Sequence, residues 1–348
     1  MMSAEKPFEI LRCTMATLVV TSMLAACGGG GGGGAPSSSS SGSGTPPTVT
    51  PPPSGSTILF QQPQESGIAD QVMVPHAVGG AGPPGGVFRM VFWQTNPNTV
   101  DGNLVPSSWN AGTLTGFTPS APLSSYQLGF FADTPSSTTA QMENGTVGAY
   151  LNSADLPNSP TDQKMMITPQ YDFTSSEQTT PFANSGTVLN ASMYLQVPTA
   201  DGSNTYVVAD HLFVGPNGVR VSYGVKLFAN GVDAPTVGSN YNSDSNDYLL
   251  NTPLTAGQQF LSIAPESQSD TGTPWTGWRY FAWSISATQF GAGLAYLAAQ
   301  YPDAVTSTDP SLYTLIEVHL NAEFQFQPEP AQLGWSMYGW QVWLTTGS

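Results

Sequence analysis

Leu312-Tyr-Thr-Leu-Ile-Glu-Val-His-Leu-Asn-Ala-Glu-Phe-Gln-Phe-Gln327 alternates in character from Glu317 onward. Glu317, His319, Asn321, Glu323 and Gln325 fall on one side, and Val318, Leu320, Ala322, Phe324 and Phe326 on the other. A period of two is the signature of a strand with one buried and one open face. Lys, Glu and Thr usually cover a face that is merely solvated. Amides, and a His between two Glu, suit hydrogen bonding to a polar ligand instead.

The same pattern recurs upstream. Val188–Val197 sets Asn190, Ser192, Tyr194 and Gln196 against Leu189, Ala191, Met193, Leu195 and Val197. In Val219–Ala229, Arg220, Ser222 and Lys226 share a face. Further runs rich in Val, Tyr, Phe, Trp and Thr lie at Val87–Thr95, Ser125–Ala132, Tyr206–Val214, Trp278–Ser286 and Gly334–Thr345, divided by Gly, Pro, Asn and Asp. One helix is predicted near 287–301. Ser286 caps it, Phe290, Leu294, Leu297 and Tyr301 share a side, and Pro302 ends it. The expected fold is all-β: a two-sheet antiparallel jelly-roll sandwich spanning 57–348, with one short helix.

Trp278-Arg-Tyr-Phe-Ala-Trp283, the helix, Asn321-Ala-Glu-Phe324 and the final Leu333-Gly-Trp-Ser-Met-Tyr338 follow in that order. This order resembles the end of glycoside hydrolase family 12, a concanavalin-like jelly roll of endoglucanases. The resemblance covers roughly 278–345, with Asn-Ala-Glu where the family has Gly-aromatic-Glu. It implies Glu323 as the catalytic acid/base. The family's nucleophile strand would correspond to Tyr206-Val-Val-Ala-Asp-His211, where Val207 stands at the nucleophile's place and Asp210 is the available carboxylate. Retaining glycosidases hold their carboxyls about 5–5.5 Å apart and inverting ones about 6.5–9.5 Å. Glu317 lies roughly 20 Å from Glu323 along an extended strand, so a partner must come from elsewhere: Asp210, Glu143 and Asp172 are the candidates. Sugar contacts are expected from His319, Asn321, Gln325, Glu317, Asn190, Tyr194 and His211, and from Trp109 in a polar, Gly-rich region. His211 and His319 lack the ligand spacing of a metal site, and no cofactor is expected.

The N-terminus points to secretion. Residues 1–12 are polar with Lys6 and Arg12, and an apolar stretch to Ala26 follows, too short to span a bilayer. Leu24-Ala25-Ala26-Cys27 resembles a bacterial lipobox, which implies removal of 1–26, acylation of Cys27 and a place on the outer membrane or cell surface. After Cys27, residues 28–56 are almost all Gly, Ser, Thr and Pro, without apolar periodicity. They read as a tether of roughly 30 Å reach. The chain has 2 Cys and a formal charge of -16. Cys13 lies in the leader, so no disulfide is expected after cleavage. The acidic balance disfavours nucleic acid and anionic lipid, and the uncharged polar and aromatic residues suit neutral sugars. A monomer that binds a polysaccharide or oligosaccharide, an endo-acting glycoside hydrolase using Glu323, and a structural or adhesive envelope protein all remain open.

Overall fold

The computed structural model describes residues 46–62, 73–75, 86, 88–95, 126–129, 139–143, 146–152, 164–325 and 331–346, apart from 203, 232–235, 243–244 and 270. Cys27, Trp109 and the expected leader, residues 1–26, lie outside the described residues.

The strands are β1 (Thr57–Gln61), β2 (Met73–Pro75), β3 (Phe88–Thr95), β4 (Tyr126–Gly129), β5 (Thr139–Glu143), β6 (Thr146–Asn152), β7 (Lys164–Asp172), β8 (Thr187–Asp201), β9 (Thr205–Val214), β10 (Arg220–Ala229), β11 (Gly238–Asn242), β12 (Asp247–Pro253), β13 (Ser262–Ile263), β14 (Trp275–Ser286), β15 (Thr314–Gln325) and β16 (Gln332–Thr346), with helix α1 (Ala287–Gln300) between β14 and β15. They form two sheets. The back sheet runs β13-β14-β8-β16-β6-β5-β4, with β1 also paired to β16, and the front sheet runs β11-β12-β10-β9-β15-β7-β3-β2. The sandwich is of the jelly-roll type expected. It is antiparallel apart from β10–β12 and β2–β3 among the described pairings, which are parallel.

The alternation places the core. Leu189, Met193 and Leu195 of β8 meet Val207, Ala209 and Phe213 of β9 and Val318, Leu320 and Phe324 of β15 in one continuous buried cluster. Across it, His211 of the front sheet packs edge-on against Trp283 of the back sheet, with ring centroids 6.0 Å apart. In β15 the alternation is reset once. The pairing with β9 slips between Leu315 and Glu317, leaving Ile316 as the extra residue of a bulge. Tyr313 and Leu315 are buried before the bulge, and Val318, Leu320 and Ala322 after it. The bulge therefore sets Glu317, His319, Asn321 and Glu323 on the outward face.

The helix forms where its signals lie. Ser286 Oγ accepts from the Gln289 backbone N–H at 3.2 Å, and Gln289 Oε1 accepts from the Ser286 N–H at 3.0 Å, closing a capping box. Phe290 is fully buried, with ring centroids 4.5 Å from Phe213, 4.9 Å from Phe182, 5.3 Å from Tyr223 and 5.7 Å from Tyr313. This clamps the helix to the inner side of β9 and β10.

Residues 46–56, expected from composition to be the end of a tether, touch the back sheet. Tyr194 Oη donates to the Thr48 carbonyl at 3.4 Å. Val49 lies against Gly339, which has φ 65°. A side chain at 339 would be strained and would meet Val49 Cγ2 at 2.5 Å.

Candidate functional site

Four adjacent strands, β10, β9, β15 and β7, build a polar network on the outward face of the front sheet. Asp210 of β9 stands opposite His319 of β15, and His319 opposite Gln170 of β7. Asp210 Oδ1 accepts from Ser222 Oγ at 2.6 Å, and Oδ2 accepts from Asn321 Nδ2 at 2.7 Å. Asn321 Oδ1 in turn accepts from Thr168 Oγ1 at 3.2 Å. The His319 imidazole lies between two carboxylates, with Nε2 3.5 Å from Asp210 Oδ2 and Nδ1 2.6 Å from Glu317 Oε1. The contact with Glu317 is a close ion pair rather than a well-directed hydrogen bond. Beyond it, Gln170 Nε2 donates to Asp172 Oδ1 at 2.7 Å.

Room for this network comes from Gly224, which pairs with Asp210. A Cβ there would meet Asp210 Oδ1 at 2.7 Å and Asn251 Oδ1 at 2.5 Å. Asp210, Ser222 and Thr168 are almost wholly buried, at 1%, 2% and 2% exposure. Glu317, His319, Asn321 and Glu323 are half-buried. The row therefore lies in a recess whose floor is already hydrogen-bonded. Level with Asn321 across β9, the Lys226 ammonium donates to the Thr236 carbonyl at 3.0 Å.

Burial opposes charge on His319, but Glu317 and Asp210 outweigh it and raise its pKa to about 10. His211 goes the other way. Burial dominates the Tyr223 carbonyl and Asp210, and its pKa falls to about 4. Both shifts give stability a dependence on pH. His319 has a folded pKa above its ordinary 6.5. Its contribution is complete below about pH 6.5 and is lost as pH rises towards about 10. His211 has a folded pKa below 6.5. Its contribution is complete above about pH 6.5 and is lost as pH falls towards about 4, on the order of 3 kcal/mol. Thermal midpoints recorded from acid to alkaline pH should fall on both sides, and His319→Gln should flatten the alkaline limb. An unchanged alkaline limb in that variant would show that His319 is not held charged.

The structure brings together Asp210, Glu317, His319 and Asn321. It does not bring Asp210 to Glu323. Glu323 pairs with Tyr206, four residues from Asp210, which is about 13 Å along the strand. The other cross-strand neighbour of Glu323 is Met166. Asp172 stands opposite Glu317 instead, and Glu143 lies on β5 of the other sheet. The register therefore corrects the expectation that Asp210 partners Glu323 in a catalytic pair.

Three sugar-contact candidates are also displaced. His211 is on the core face at 0% exposure, its Nδ1 3.3 Å from the Tyr223 carbonyl. Asn190 and Tyr194 belong to β8 of the back sheet, where Asn190 donates to Thr345 Oγ1 and the Val188 carbonyl. Gln325 ends β15, opposite Lys164. Trp109 lies outside the described residues. Sequence reasoning missed Thr168 and Gln170, because β7 carries Pro169 at its centre. The signal available was the polar order Thr168, Gln170, Asp172 at a spacing of two.

No protein-family model matches this chain, and no curated protein sequence matches it. Several solved structures are partly similar. The xyloglucanase domain of NopAA from Sinorhizobium fredii, in complex with cellobiose, has a TM-score of 0.33 and 10% identity, covering 63% of this chain and 91% of that one. A metagenome-derived glycoside hydrolase family 12 endoglucanase also has a TM-score of 0.33 and 10% identity, covering 64% and 91%. The adhesin domain of Epf from Streptococcus pyogenes has a TM-score of 0.27 and 7% identity, covering 73% and 58%. Scores of this size say nothing about what this chain does.

Proposed function

We propose that this protein binds an uncharged polysaccharide or oligosaccharide along the recessed outward face of the front sheet. Glu317, His319, Asn321 and Glu323 are the groups that meet the ligand, and Asp210 positions His319 and Asn321. The observation that carries this reading is the bonding of Asp210. A carboxylate that is 1% exposed and held by Ser222 and Asn321 can orient its neighbours. It is poorly placed to exchange a proton with a substrate. Sparse positive charge on a chain of formal charge -16 argues against an anionic ligand.

Retention in gels containing β-glucans, combined with reducing-end release, tests the reading. The wild type should be retained and release nothing, and Asn321→Ala should weaken binding by about tenfold, a loss of about 1.4 kcal/mol. Release of reducing ends by the wild type, abolished in Glu323→Gln, would replace binding by hydrolysis. Neither retention nor release on any glycan would leave a structural or adhesive role.

The lipid anchor belongs to the same proposal: acylation of Cys27 and a place on the outer membrane or cell surface, with the domain monomeric. It is supported by the residues 24–27 and the apolar stretch before them. Cys27→Ser should move the protein from the membrane fraction to the soluble fraction and abolish palmitate labelling. Labelling that persists in the variant would rule out Cys27.

A further inference from the structure

The outward face of the back sheet carries a second group of side chains with its own logic. Tyr280 of β14, Tyr194 of β8 and Tyr338 of β16 stand directly opposite one another, one row across three adjacent strands. The rings of Tyr194 and Tyr280 are 5.0 Å apart. Trp278, also on β14, reaches across β8 to within 6.2 Å of Tyr338. All four aromatic residues are half-buried, with the tether end already in place at Thr48. They therefore keep open ring surface.

Two amides flank this row. Gln196 pairs with Ser336 on one side, and Gln341 with Ser192 on the other. Each is 1% exposed. Neither Oε1 nor Nε2 of Gln196 has a hydrogen-bond partner, and Oε1 of Gln341 has none. A buried amide without partners is costly, and a sheet gains nothing in packing from Gln over Leu. Unsatisfied donors and acceptors beside open aromatic rings fit a ligand that presents C–H faces and hydroxyl groups together.

We propose that this face is a second binding surface, and that its ligand is an uncharged polysaccharide. Pyranose rings lie on the tyrosine row, and a rotamer change of Gln196 or Gln341, whose amides are otherwise closed to solvent, lets those amides meet the hydroxyls. The surface is independent of the front-sheet recess, because it lies on the opposite sheet.

Native electrophoresis in gels containing soluble mixed-linkage β-glucan or xyloglucan tests this. In the Asn321→Ala background, adding Tyr194→Ala/Tyr338→Ala should lower the remaining retardation by about fivefold or more, whereas adding Tyr194→Phe, which keeps the ring face, should leave it close to that of Asn321→Ala alone. Asn321→Ala should keep the tyrosine-dependent part of the retardation whatever happens at the front sheet. A double alanine exchange that leaves the migration of the Asn321→Ala protein unchanged in both gels overturns the proposal, as does a wild type retarded in neither. Should the double variant fail to fold, hydrogen exchange on the wild type decides. Added β-glucan must protect β8 and β14 around 190–196 and 278–284, and absence of protection there overturns the proposal.

Discussion

Asp210→Ala should lower the free energy of unfolding by about 3–5 kcal/mol, the usual cost of removing one partner from a buried charged pair. The reason is the number of groups that depend on this carboxylate. Ser222 Oγ and Asn321 Nδ2 both donate to it, and His319 Nε2 lies 3.5 Å from Oδ2. With alanine there, the buried Ser222 hydroxyl and the half-buried Asn321 amide lose their acceptor, and the charged imidazole keeps only one carboxylate, Glu317. Urea unfolding followed by fluorescence reads the loss directly. The double variant with His319→Ala should lose less than the sum of the singles, with a coupling of about 1 kcal/mol or more. A single variant that costs less than about 1 kcal/mol would mean that the network is solvated and replaceable, and the recess would not be preorganised.

Phe290→Ala should cost a similar amount, about 3–5 kcal/mol, through packing alone. Its ring is fully buried and touches Phe182, Phe213, Tyr223 and Tyr313, which belong to four separate segments of chain. The cavity cannot be closed by one neighbour, because each is itself held in a strand or turn. The urea midpoint should fall without a change of slope. Phe290→Leu, which keeps much of the volume, should recover more than half of the loss. Equal losses for Ala and Leu would place the energy in ring geometry rather than in filled space.

The fold was legible where one physical signal acted alone. Glu317 to Phe324 alternates because one face of β15 is buried, and Ser286 with Gln289 marks the helix start because the first-turn N–H groups need acceptors. β7 was not legible. Pro169 has no N–H to give, and central strands usually avoid proline. Here the sheet accommodates it: the pairs recorded with β15 stop at His319–Gln170 and resume at Ala322–Ile167. The parallel partner β12 has no local signature at all.

The site was legible by face but not by sheet. Alternation says that Asn190, Tyr194 and Asn321 each point away from the core, and it cannot say that β8 and β15 belong to different layers. It also misjudges His211, a polar residue that the core accepts because one ring nitrogen lies 3.3 Å from a backbone carbonyl. The grouping of Asp210 with His319 follows from the register between β9 and β15, which depends on the bulge at Ile316.

The contacts of Thr48 and Val49 have a mechanical consequence. The chain arrives on the back sheet, rests against Tyr194 and Gly339, and continues into β1, which lies antiparallel along β16. Tension from upstream of residue 46 enters the fold there, on the layer that does not carry the Asp210–His319 network. Among the described residues, the hydrogen bond from Tyr194 Oη to the Thr48 carbonyl meets it first, and those between β1 and β16 come behind it. A load on the front sheet and a pull on the N-terminal side thus fall on different layers, so strain from upstream of residue 46 need not reach the Asp210–His319 network.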